Sequence, residues 1–425
     1  MSASFRTHQF ALNTSTGTQT ITLAGEGTCK GYVLWAVQAI TNGTSKVELM
    51  MVMGMCDQNG ATRSSGVSAQ DNVGTTNTDS TINADLLHGI DSGAGGADFE
   101  LQHDSFVTDG FVIDVVNAPS EAWLITAWIL YGSDITTDVV VIDCSDLDDT
   151  EVTVSISVDP NIYIVSGSNS TVDIDFSGQG KIGFGFGTDK GSPFDQVGMS
   201  QASRNGHTET QSGNIATNTR VIGTWQQIVG FVPAACYEVT TLNSTTLGVK
   251  THLGAAGGSA RLNFMLINVN GAVDYDVGTF FYPTSTGVVN HTSPGFKPQF
   301  VAMGANSKTN FQNETTNNAE HDSFQFIGSA DGTEEICIGV YDEHTETTTN
   351  AQSYTNTNLI DAQKGDGSGG STAEMVATLK AFTSNGWDAD YSDAASSAWS
   401  GIYLAIEEDI VVKDVIGMGV VPFAR

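Results

Sequence analysis

Basic residues are scarce in this chain. Its 425 residues hold 16 Lys and Arg against 48 Asp and Glu, a formal charge of −32. Such a surface repels nucleic-acid phosphates and anionic lipid, which excludes nucleic-acid binding as the main task. The shortage of cations suits a protein working in salty water, where screening weakens self-repulsion, and equally suits a plain acidic soluble surface. Proline is also rare, at 8 residues. The five cysteines, at 29, 56, 144, 236 and 337, form no CxxC pair. Cys29, Cys56 and Cys337 sit in apolar stretches and read as reduced core residues, not as a disulfide or zinc framework. The N-terminal MSASFRTHQF has no apolar secretion core, so synthesis in a cytoplasm without signal-directed export is expected. The longest apolar run, Ala122 to Tyr131, is too short to span a bilayer, and no membrane insertion is expected.

Catalytic signatures are missing as well. There is no GxSxG elbow, no Walker A loop and no HExxH, so no enzymatic activity is expected. Gly183-Phe-Gly-Phe-Gly187 is rich in glycine, but it alternates like a strand and no helix signal follows, as a nucleotide loop would require.

What the chain does have is internal repetition. Ser105–Leu130 aligns without a gap with Ala381–Ile406, sharing Phe106/Phe382, Gly110/Gly386, Asp114/Asp390, Ala118/Ala394, Ser120/Ser396, Ala122/Ala398 and Trp123/Trp399. The offset is 276, and half of it, 138, brings Asn243–Asn268 into line as an intermediate copy. With Thr, Ser, Asn and Gly abundant, the reading is an all-β chain of three tandem β-sandwich, jelly-roll-like repeats with a period of about 138 residues. The expected units are 1–133, 134–271 and 272–409, with a C-terminal tail or strand over 410–425 that closes on its own chain or adds to a neighbouring subunit.

Each copy reads alike. An early apolar strand (Tyr32–Val37, Ile162–Val165, Phe300–Met303) precedes a second one (Val47–Met55, Lys181–Phe186, Glu335–Tyr341). A long polar loop follows (about Asp57–Asn83, Thr188–Thr219, Asp342–Thr372), then two closing strands. Asp109-Gly110 and Asn385-Gly386 are two-residue turn signals, expected to place Gly at positive φ. In the last strand, Ala122, Leu124, Thr126, Trp128 and Leu130 share a parity with Leu262, Phe264, Leu266 and with Ile402, Leu404, Ile406. That parity is expected to face each domain's own core. The opposite one, with Trp123 and Trp399, is expected to be covered by a neighbouring copy or to stack on a ligand.

Candidate sites are few. Loops carried on a rigid sandwich are where interactions evolve, and Phe194, His207, His344 and Tyr354 are the loop side chains able to stack or hydrogen-bond. Asp143, Asp146, Asp148 and Asp149 crowd the first linker, where carboxylate oxygens suit a Ca²⁺, although no EF-hand spacing is present and no cofactor is expected. His321-Asp322 and Glu343-His344 with Glu346 form weaker acidic groupings, read as solvated loops.

Gly295-Phe-Lys-Pro-Gln-Phe-Val301, Ile338-Gly-Val-Tyr-Asp342, Phe382-Thr-Ser-Asn-Gly-Trp387 and Tyr403-Leu-Ala-Ile406 together form a pattern. It resembles a tandem β-sandwich repeat of structural virion proteins from tailed viruses of bacteria and archaea. Copy one keeps the later landmarks, and copy two lacks the phenylalanine before its turn. The resemblance implies a non-enzymatic protein on the outer surface of a particle, a capsid decoration or tail-associated component. Its partners would be other virion proteins and further copies of itself. The alternatives are a receptor- or carbohydrate-binding tail protein using a host-surface glycan, and a polysaccharide-degrading enzyme, which would need paired carboxylates across one cleft.

Overall fold

The computed structural model describes residues 3–91, 96–168, 170, 172–173, 180–191, 193–227, 231–253, 260–271, 273–311, 322–344, 346–365 and 371–407. Every regular element among them is a β-strand, so the fold is all-β. The expected tail, 410–425, lies outside the described residues.

The first stretch carries β1 (Ser4–Ala11), β2 (Gly17–Thr22), β3 (Cys29–Val37), β4 (Lys46–Val47), β5 (Leu49–Asp57), β6 (Thr62–Ala69), β7 (Thr78–Asn83), β8 (Leu87–Asp91), β9 (Gly96–Val107), β10 (Gly110–Asn117) and β11 (Leu124–Tyr131). Next come β12 (Ile135–Asp143), β13 (Glu151–Ser155), β14 (Ile162–Ser168), β15 (Gly180–Gly191), β16 (Phe194–Ser203), β17 (Ser212–Thr217), β18 (Ile222–Gln227), β19 (Phe231–Leu242), β20 (Thr246–Leu253) and β21 (Arg261–Val269). The last are β22 (Tyr275–Phe281), β23 (Gly287–His291), β24 (Pro298–Asn306), β25 (Ser323–Ala330), β26 (Glu335–Asp342), β27 (Ala351–Asn356), β28 (Ile360–Gly365), β29 (Ser371–Thr383), β30 (Gly386–Asp393) and β31 (Ser400–Glu407).

One strand order occurs three times. A large sheet runs β1-β11-β3-β5-β6-β7, then β12-β21-β14-β15-β16-β17, then β22-β31-β24-β25-β26-β27. A four-stranded sheet accompanies each: β2-β10-β9-β8, β13-β20-β19-β18 and β23-β30-β29-β28. The small sheet packs on one face of the large one. In the first pair Tyr32, Leu34 and Ala36 meet Phe99, Leu101, Phe111 and Ile113, with Tyr32 stacked on Phe111 at 3.8 Å between centroids. The third pair does the same with Val301 and Met303 against Met375, Trp387 and Tyr391.

The other face of each large sheet is buried too. Trp35, Trp128, Met53, Ile164, Phe184, Phe186, Met265, Phe300, Ile338 and Leu404 belong to one apolar cluster shared by all three large sheets. Trp35 meets Phe184 edge-on at 5.5 Å, and Trp128 meets Phe300 at 5.8 Å, so aromatic pairs tie the first unit to the second and the third. The packing is cyclic. β6 and β7 lie against β14 and β15, β16 and β17 against β24 and β25, and β26 and β27 against β3 and β5. The three sheet pairs therefore surround a common core, as three subunits of a trimer would. β4 adds to this closure by pairing with β27, so the first unit contributes a seventh strand to the third large sheet.

Four sequence expectations change. First, the face of the closing strand is inverted in units one and three. Trp123, Ile125, Ala127 and Ile129 face their own small sheet, while Trp128 and Leu130, like Ile402, Leu404 and Ile406, face the shared core. In unit two Leu262, Phe264 and Leu266 do face the small sheet. The pairings explain the mismatch: Ile129 opposes Tyr32 and Leu266 opposes Tyr163, so the structural offset is one residue less than the ungapped alignment supplies. A one-residue slip exchanges the faces of a strand.

Second, Trp123 and Trp399 do not lie between repeats and do not project for stacking. Trp123 packs on Phe99 at 4.9 Å and Trp399 on Phe324 at 5.0 Å, each within its own sheet pair.

Third, the long polar loops contain strands: β6 and β7, β16 and β17, and β27 and β28. Glu335–Tyr341 is the third unit's counterpart of β6 and β16, with β25 standing where β5 and β15 stand. Ser65, Ser80, Asn214, Ser353 and Thr355 are buried in these strands. They carry no apolar alternation because they sit at junctions between units, where hydrogen bonds offset the burial of polar atoms. Ser65 Oγ meets Ser166 Oγ at 3.1 Å, and Asn214 Nδ2 donates to the Phe324 carbonyl at 3.1 Å.

Fourth, the turns are Thr108-Asp109 and Ser384-Asn385, with each glycine opening the next strand. In the first turn Asp109 takes the positive φ, 63°, whereas in the third unit Gly386 itself does, at 154°, as expected. Gly110 is needed for space: a Cβ there would stand 1.9 Å from the Ile21 carbonyl oxygen.

All five cysteines are buried free thiols, and burial pushes the Cys29 thiol up to about 12. Gly183–Gly187 lies within β15, with Phe184 and Phe186 in the shared core.

Candidate functional site

The loops joining β6 to β7, β16 to β17 and β26 to β27 meet one another. Asn72, at φ 55°, and Gly206, at φ 75°, occupy equivalent places and adopt the left-handed conformation that Asn and Gly tolerate. From this turn each loop reaches the next.

Three threonines carry the contact. Val73 N–H donates to Thr349 Oγ1, His207 N–H to Thr76 Oγ1, and Glu346 N–H to Thr210 Oγ1, each at 2.9 Å. The same threonines donate their own N–H groups back, Thr349 to Val73 O (3.1 Å), Thr76 to His207 O (2.7 Å) and Thr210 to Glu346 O (2.9 Å). A third set flanks these. Asp71 Oδ1 accepts from Ala351 N–H (2.8 Å), Asn205 Oδ1 from Thr78 N–H (3.1 Å), and His344 Nδ1 from Ser212 N–H (3.3 Å). That last bond requires the His344 Nδ1 to be unprotonated. Each loop holds the two others, and the three close into a ring. With net contributions of about 0.5–1.5 kcal/mol per hydrogen bond, the ring is a fixed platform and not a set of independent loops.

A buried acid lies beside it. Asp342 is 3% exposed and receives the hydroxyl hydrogen bond of Ser203 from the neighbouring unit. Burial pushes its carboxyl up to about 7, and the nearby Asp322, Asp71 and Glu343 add to the rise. Asp71 and Glu343 are themselves raised, chiefly by burial. His207 is lowered by burial and by the adjacent Arg204. Outward the ring presents Asn72, Glu209 and Glu346, all exposed.

The expected site residues distribute unevenly. His207 and His344 belong to the ring, in two different units. Tyr354 does not lie in a loop: it is on β27, fully buried in the third unit's core. Phe194 opens β16 at a separate hairpin, half-buried against the second unit's core. The linker aspartates separate onto cations of the chain. Asp143 takes a bidentate pair from Arg261 (2.6 and 2.9 Å), and Asp149 binds Lys250 at 2.8 Å. Asp146 and Asp148 are exposed, and among the described residues no group of three His, Cys, Asp or Glu converges as metal ligands would. His321 lies outside the described residues.

No sequence signal marks Thr76, Thr210 or Thr349, and Asp342 stands in the sequence as the last residue of the Ile338–Asp342 landmark. The threonines stand 134 and 139 residues apart, so an even period misses them, and only a gapped alignment of the copies brings them into one column.

No protein-family model matches the chain, and no curated protein does. Among solved structures, one of PNGF-II is aligned over 89% of this chain and 95% of its own, at 10% identity. The TM-score is 0.14, and the likeness carries no weight for fold or function.

Proposed function

We propose that this chain is a non-enzymatic structural protein of the outer surface of a tailed virus particle, a capsid decoration or tail-associated component that works by protein–protein assembly. The observation that supports this reading best is the closed triplet. Three sheet pairs of one strand order share one apolar core and interlock their loops by one repeated set of hydrogen bonds. A single chain thus builds what three subunits of an oligomer would, with all three faces held in fixed relation and no concentration dependence between them. The acidic surface keeps such a body soluble and apart from nucleic acid. The sequence landmarks lie on the strands of this frame, β24, β26, β30 and β31 among them.

Immunogold electron microscopy of purified particles from the source organism, with an antibody to this chain, tests the reading. Label over the head would assign a capsid role, and label on the tail an attachment-associated one. Absence of label from every particle would sink the proposal.

A further inference from the structure

Strand registers align the three units step by step along the shared core. Val67 opposes Met51 and Ser80, Gln201 opposes Ile182 and Asn214, and Val340 opposes Gln325 and Ser353. Val67, Gln201 and Val340 are therefore equivalent, and so are Met51, Ile182 and Gln325. The next step toward the loop ring holds Ala69, Ser203 and Asp342. Side chains two residues apart share a face of a sheet. Met199, Ile327 and Val340 lie in the shared core, so Gln201, Gln325 and Asp342 face it too. Each glutamine stands where the two other units are apolar. Both belong to the junction of the second unit with the third, where β16 and β17 pack on β24 and β25.

The polar atoms around them are paired across that junction. Ser323 Oγ donates to Asn214 Oδ1 at 2.8 Å, and Asn306 Nδ2, opposite Gln325, donates to Ile215 O at 2.8 Å. Ser203 donates to the Asp342 carboxylate, and Ser212 Oγ to Asp342 O at 3.1 Å. Gln201 stands opposite Asn214 and two residues before Ser203. Gln325 stands two residues after Ser323 and is the diagonal neighbour of Asp342 across the β25–β26 pair, a separation that long side chains span.

The two glutamine amides have no hydrogen-bond partner at either end, oxygen or nitrogen, although they are 1% and 0% exposed. Asp342 has no countercharge among the described residues. The charges acting on it are Asp322, Asp71 and Glu343, all acids, and Lys364 pairs with Asp322 at 3.2 Å. Amide oxygens without donors and a buried carboxyl without a cation are one shortfall, positive charge missing from a single junction. Buried charges are paired or coordinate a metal ion, and a buried polar atom left alone marks a missing water or ion.

We propose that the junction between the second and third units holds one monovalent metal cation, Na⁺ or K⁺. Its ligands are the Gln201 and Gln325 amide oxygens, the Asp342 carboxylate and the Ser203 hydroxyl oxygen. Ser203 occupies one of about four acceptor positions of the carboxylate and keeps lone pairs of its own. One carboxylate among neutral oxygens suits a single charge. A divalent ion takes more oxygens and more carboxylates, and no group of three acids or histidines converges among the described residues. The other two junctions carry apolar residues at these steps, so the chain holds one such ion.

The test is the melting temperature of the full chain dialysed to equilibrium against NaCl, KCl or choline chloride. Each salt is used at about 0.5 M, so screening is the same in all three, while choline is too bulky for a buried site. NaCl or KCl should give a melting temperature at least about 2 °C above that in choline chloride. Gln201→Val and Gln325→Met install the residues that the first unit carries at the same steps. Each variant should fold and melt alike in the three salts. The advantage of Asp342→Asn should be larger in choline chloride than in NaCl or KCl. Equal melting temperatures of the unaltered chain in all three salts overturn the proposal. So does an increment that survives in both glutamine variants, which would assign the ion to the acidic surface. If neither glutamine variant folds, an increment kept in full by Asp342→Asn overturns it. None of these outcomes bears on whether the chain labels a particle.

Discussion

Asp342→Asn should make this protein more stable at neutral pH, and the gain should vanish in acid. In the folded chain burial holds the Asp342 carboxyl at about 7, against an ordinary 3.8. A group raised on folding stabilises fully below its unfolded pKa and loses that contribution as pH climbs through its folded one. Well below 3.8 both states are protonated and the folded state bears no penalty from this residue. Between about 4 and 7 the folded chain keeps a proton that the unfolded chain has released, and stability falls with each step of pH. Above 7 the penalty is complete. A rise from 3.8 to about 7, at about 1.4 kcal/mol for each tenfold change, amounts to roughly 4 kcal/mol. Asparagine has nearly the same shape, and its Oδ1 can still accept the Ser203 hydroxyl, so the junction between the second and third units keeps its contact. The raised neighbours Asp71 and Glu343 remain in both proteins and are relieved further when the charge at 342 goes. Urea unfolding of the two proteins at pH 4, 6 and 8 measures the effect. The midpoints should lie close together at pH 4 and separate progressively, with the variant higher. A variant that is equal or weaker at pH 8, or a difference that does not shrink at pH 4, would refute the reasoning.

Gly110→Ala should cost more than about 2 kcal/mol, because its Cβ would meet the Ile21 backbone oxygen at 1.9 Å and force β2 from β10; thermal unfolding reads the loss. Thr210→Val removes the acceptor of the Glu346 N–H at similar volume, for about 1–2 kcal/mol, and hydrogen exchange at Glu346 should accelerate while amides of β24 stay protected. With a charge of −32, the melting temperature should rise between low and molar NaCl as self-repulsion is screened, and a flat profile would contradict that account.

Much of the local structure can be read along the chain. The alternation of Phe111, Ile113 and Val115, the apolar run through Trp35, and the glycines opening β10 and β30 mark strands because period two and close backbone approach are written in neighbouring residues. The all-β class follows, and so does the burial of the cysteines in apolar stretches.

Long-range pairing lies beyond such signals. β11 and β31 carry apolar side chains on both faces, so local pattern allows either face inward, and only the packing of three large sheets on one another assigns Trp128 to the shared core and Trp123 to its own sheet pair. β6, β7, β16 and β17 read as loops because their polar side chains are satisfied across unit junctions, by partners about a hundred residues away in the chain. The ring of Thr76, Thr210 and Thr349 and the depth of Asp342 have the same origin. Composition, strand periodicity and the all-β class are local or summed properties, and the amino-acid sequence by itself determines them. Which faces meet and which polar atoms find partners depend on three units closing around an axis, and only the tertiary structure decides them.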